Sequence, residues 1–151
     1  MLLLMLKWLH IVAAIVAVGA NLTYGVWFRR VKNHPGSLPF VLKGIEFLDS
    51  RIANPAYGVL LVTGLAMVFV SGLPLTTPWL AVSLGLYLAA FLLGVFVVTP
   101  GFRRQIELAG KGLHNGQEYR GLARRGAIVG IGLSALVLVI TFLMVIKPSL
   151  W

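Results

Sequence analysis

One histidine, His10, lies inside the first long apolar run of the chain, LLLMLKWLHIVAAIVAVGANLTYGVWFRR, residues 2–30. An imidazole can ligate a metal or carry a proton, and an ionisable group inside a membrane span leans towards function. At helical spacing it heads a stripe of His10, Ala14, Ala17, Asn21, Tyr24 and Phe28. The polar members must turn inward, because an unpaired polar group in hydrocarbon costs several kcal/mol. The two alanines suit close approach of a second helix. The plain structural alternative for His10 is a neutral imidazole bonded to a Ser or Thr hydroxyl of a neighbouring helix.

The elements that must position this stripe follow from composition. Of 151 residues, 59% are hydrophobic and 11% charged, against about a quarter charged in a soluble domain. Mean hydropathy is +0.94. The charges cluster between long apolar runs, which predicts an all-α polytopic membrane protein: one domain, a four-helix up-down bundle with spans over 2–28, 52–70, 79–98 and 126–146. The N-terminal run lacks a basic flank and exceeds a signal-peptide core, so it reads as a retained helix.

Between the first two spans, LPFVLKGIEFLDSR reads as an amphipathic helix at the interface or as an inner extension of helix 2. Asn54-Pro55 is placed in the first turn of helix 2, where a missing N–H costs nothing. SGLPLTTP makes a tight hairpin to helix 3, and Pro100-Gly101 breaks or kinks that helix. Residues 110–116, rich in glycine, form a turn between two helical extensions. GVWFRR at 25–30 resembles TPGFRR at 99–104 at an offset of 74 residues, which suggests two parallel helical hairpins.

The basic residues set the orientation. The long connections carry Arg29, Arg30, Lys32, Lys43 and Arg51, then Arg103, Arg104, Lys111, Arg120, Arg124 and Arg125. Both should be cytoplasmic, with both termini outside a cytoplasmic (inner) membrane. The formal charge of +9, from 13 Lys+Arg and 4 Asp+Glu, then means positive-inside loops and contact with anionic lipid rather than nucleic acid, for which no base-reading motif occurs. With no cysteine, disulfides, thiolate metal sites and thiol catalysis are excluded. No HExxH, P-loop, Rossmann or Ser/His/Asp pattern occurs. Glu46, Asp49, Glu107 and Glu118 all fall in the connections, which argues against a carboxylate-based transporter.

With this topology His10 lies in the outer half of its span, at a depth similar to Met67, Ser83 and Thr141. An imidazole, a thioether as tentative second ligand, and Lys7 and Lys147 above to pair with propionates would suit haem b, with His10 on the iron. Nearer the inner end stand Asn21, Tyr24, Asn54, Tyr57 and Thr99, rimmed by Arg29, Arg30, Arg51, Arg103 and Arg104. These could hold an anionic substrate or lipid headgroup, or simply bond helix to helix. Gly58, Gly64, Gly126, Gly130 and Gly132 read as sites of close helix approach.

LKWLHIVAAIVAVGA, NPAYGVLLVTGLAMV and FLMVIKP together resemble a family of predicted four-helix integral membrane proteins, domain of unknown function 2269, over nearly the whole chain. More distantly, the helix 1 histidine and the terminal Lys147-Pro148 are similar to haem-containing membrane protoporphyrinogen oxidases and CopD-like membrane proteins. That resemblance implies a haem-ligand role for His10. It does not carry the oxidase activity, because the arginines here sit at span boundaries rather than within spans. The expected function is a b-type haem redox or electron-transfer protein. The alternatives are a cofactor-free accessory subunit or homo-oligomer in a larger membrane complex, and a small transporter.

Overall fold

The computed structural model describes residues 1–149, which are helical with short turns and no strand. Four helices among them are long and apolar enough to cross a membrane: α1 (Leu2–Val31), α2 (Leu38–Ser71), α3 (Pro78–Gly110) and α4 (Gln117–Ile146). At 1.5 Å rise per residue each exceeds the ~30 Å hydrocarbon thickness, so their polar ends project beyond it.

The chain divides into two compact units, one ending at Leu75 and one beginning at Thr76. In the first, α1 packs along α2; in the second, α3 packs along α4. Each unit is thus a pair of long helices. The 74-residue offset carries α1 onto α3 and α2 onto α4 within a few residues, so the helix order repeats.

The segment after the first connection is an extension of α2 rather than a separate interfacial helix. It starts behind a 3-10 turn at Pro35–Ser37 and buries Leu38, Leu42 and Ile45. Leu42 is wholly buried, and burying a leucine is worth roughly 1.5–3 kcal/mol. Phe40 and Phe47, off that face, are exposed.

Both prolines stand in the first turn of an α-helical stretch, Pro55 in Asn54–Ser71 and Pro100 in Thr99–Gly110, and each stretch is continuous with the helical segment before it. The reason is a wide turn placed just before each. At Asp49–Ala53 the backbone is π-helical and the Asn54 N–H donates to the Asp49 carbonyl. At Gly94–Val98 it is π-helical again and the Thr99 N–H donates to the Gly94 carbonyl. A proline ring collides with the carbonyl four residues back in a regular α-helix; a five-residue turn moves that carbonyl away. Thr99 Oγ1 also donates to Gly94 O at 2.9 Å.

The turn between α3 and α4 forms as the glycines predicted, with Gly112 at φ +74°. Its flanks are tied by ion pairs of the second unit. Arg104 reaches Glu107 and Glu118, both at 2.7 Å, and Lys111 reaches Glu107 at 2.6 Å.

Candidate functional site

The α1 stripe faces α2 as its periodicity required. Ala13 and Ala17 are buried and His10, Asn21 and Tyr24 half-buried, while Ile11, Ile15, Val16 and Leu22 are exposed. Each polar member of the stripe finds a partner on α2.

His10 Nδ1 stands 2.9 Å from Thr63 Oγ1. That hydroxyl donates to the Val59 carbonyl of its own helix at 2.6 Å. A hydroxyl has one proton, so Thr63 can only accept from His10. Nδ1 therefore carries the hydrogen and Nε2 keeps its lone pair, and the Leu60 carbonyl is a second acceptor within reach of the ring N–H. The ring lies over Gly64, where an added Cβ would come within 3.2 Å of Cε1. Gly64 thus lets α2 approach the imidazole. Of the other glycines read as approach sites, an added Cβ at Gly126 would meet Gln105 Nε2 at 3.5 Å, whereas Gly58, Gly130 and Gly132 have open space around an added Cβ.

Further along the stripe, Asn21 Nδ2 donates to Tyr57 Oη at 2.7 Å and to its own helix at Ala17 O, 2.9 Å. Tyr24 Oη donates to Asp49 Oδ1 at 3.5 Å, and Asn54 Nδ2 donates to Asp49 Oδ2 at 3.2 Å. The expected cluster of Asn21, Tyr24, Asn54 and Tyr57 is therefore brought together within the first unit, around a member the sequence reading left out. Asp49 was assigned to the first long connection; the π turn sets it against α1.

Met67 is half-buried one turn beyond Thr63, and Lys7 is exposed. Ser83 and Thr141 belong to the second unit. Ser83 is fully buried and donates to Trp79 O at 2.6 Å; Thr141 is exposed and donates to Val137 O at 2.9 Å. Lys147 Nζ sits 5.3 Å from the centre of the Trp79 ring, a cation–π distance. Arg29, Arg30, Arg51 and Arg103 are exposed, while Arg104 is held by its two glutamates. Among the described residues no three His, Asp or Glu side chains converge to hold a bare metal ion.

Long apolar helices in pairs, with polar side chains turned to the helix–helix seam, define a polytopic α-helical membrane protein. The chain belongs to the family of predicted integral membrane proteins DUF2269, whose model matches residues 4–148. No curated protein and no solved structure matches it.

Proposed function

We propose that this protein binds haem b through His10 and works in membrane redox chemistry or electron transfer. The observation that supports this most directly is the state of the imidazole. Histidine ligands to metals typically donate their second ring N–H to a fixed acceptor, which sets the tautomer and aims the ligating nitrogen. His10 has this arrangement, with Nδ1–H on Thr63 and Nε2 carrying the lone pair. A lone histidine would suit haem better than a bare ion, since the porphyrin would supply four nitrogens and His10 the protein's ligand. When bound, the iron supplies one-electron chemistry. The protein's own part is to orient the imidazole through Thr63 and to exclude water with the apolar side chains beside it.

Because the ring lies directly on Gly64, no macrocycle fits between His10 and α2. In this reading Nε2 serves haem on the side away from Thr63, and Met67 leaves the ligand set. Lys7, one turn from His10, remains a partner for a propionate; Lys147 and Trp79 hold each other in the other unit. The basic connections lie on the cytoplasmic side of the inner membrane, and exposed Arg29, Arg30, Arg51 and Arg103 meet anionic lipid there.

Detergent-purified protein should show a Soret band, either as isolated or after addition of haem. His10→Ala should lose that band at unchanged helical circular dichroism. A wild type that stays colourless with added haem overturns the reading.

A further inference from the structure

We propose that Asp49 is a proton-binding site, a carboxyl that takes up and releases a proton between Tyr24 of α1 and Asn54 of α2. Three observations carry this. First, the side chain is half-buried where the π turn meets α1, and both its oxygens point at neutral donors, the Tyr24 hydroxyl and the Asn54 amide. Second, no Lys, Arg or His among the described residues comes within ion-pair distance of it, although the protein carries 13 basic side chains. In the three ion pairs found among the described residues the acid is a glutamate. Third, Asn21 and Tyr57 continue the polar seam from Tyr24 along the interior of the same helix pair.

The charged and titratable groups around it are few. Tyr24 faces it from α1 and Tyr57 stands on the next part of α2. On its own helix Glu46 is half-buried one turn before it, and Lys43 and Arg51 are exposed to either side. A desolvated carboxylate with neutral partners alone favours its protonated form, and the two donors only partly offset that preference. The proton can enter from the aqueous connection, since Asn54 and Ser50 beside it are exposed. The inference is independent of any haem on His10.

Asp49 is the single aspartate of the chain, so the full-length protein can be read with one label. Aspartate labelled with carbon-13 at its carboxyl gives one resonance in detergent micelles, to be followed over a pH series. The expected midpoint lies above that of a free aspartate, because burial disfavours the charged form. Tyr24→Phe removes a donor to the ionised form and should raise the midpoint further. A wild-type midpoint at or below the free value, or a Tyr24→Phe midpoint that is unchanged or lower, overturns the proposal. Neither result depends on a cofactor, so failure here leaves the haem reading to its own spectrum.

Discussion

The Thr63 hydroxyl decides which nitrogen of His10 is available, so it is the residue whose loss should be felt beyond its own size. Thr63→Val keeps the shape but removes the hydroxyl that accepts from Nδ1–H and leaves that N–H only the Leu60 carbonyl, a cost of roughly 0.5–1.5 kcal/mol. We expect a lower thermal midpoint whether or not haem is present. Haem titrations should weaken by roughly 10–100-fold, the usual penalty for losing such a supporting bond, and Thr63→Ser should restore most of both. Unchanged stability and unchanged haem binding would remove Thr63 from the site. His10 and its stripe were legible because helical periodicity and the cost of unpaired polar groups act within a single helix. A Ser or Thr hydroxyl was foreseen as the imidazole's partner. Its identity as Thr63 was not, because that depends on how two helices slide along each other. Asp49 was read only as part of the first connection, and its place against Tyr24 depends on the wide turn.

The paired helices were largely legible as elements, since apolar length and polar interruption are local properties. Their ends were not. α1 runs on to Val31 and α2 begins at Leu38, because polar residues remain good helix formers outside the hydrocarbon. The first-turn place of Pro55 was legible, but the wide turn that joins it to the helical segment before it was not. The polar end of α3 offers a test of its own. Lys111, and next Arg104, hold the Glu107 carboxyl down at about 2. A depressed carboxyl contributes stability above its unfolded value near 4.3 and loses that contribution as pH falls towards about 2. Glu107→Gln should therefore melt a little below wild type at neutral pH. The gap should narrow through acid pH and close near pH 2. These side chains are exposed, so the shift is small and should also shrink with salt. A gap that is constant with pH would show that the pairing contributes nothing.

At the scale of the molecule, the distribution of arginine and lysine predicts the sidedness, and the cysteine-free chain makes that simple to measure. A single cysteine at Thr76→Cys should react with a membrane-impermeant maleimide added to intact cells or spheroplasts. One at Asn115→Cys should react only after permeabilisation. The reverse pattern would invert the topology and place the Asp49 carboxyl at the opposite membrane face. The division into helix pairs was visible in the 74-residue offset, but the offset does not extend to local backbone. The wide turn of the first unit lies in its second helix and that of the second unit in its first. Each such turn holds one residue more than regular helix needs. At about 100° per residue, that extra residue changes the rotational phase between the parts before and after it. Asp49–Ala53 and Gly94–Val98 are therefore the natural positions for a one-residue gap when this chain is aligned with a relative that lacks the proline. Deleting one residue there would swing the amphipathic end of α2 around its axis and carry Leu38, Leu42 and Ile45 off α1.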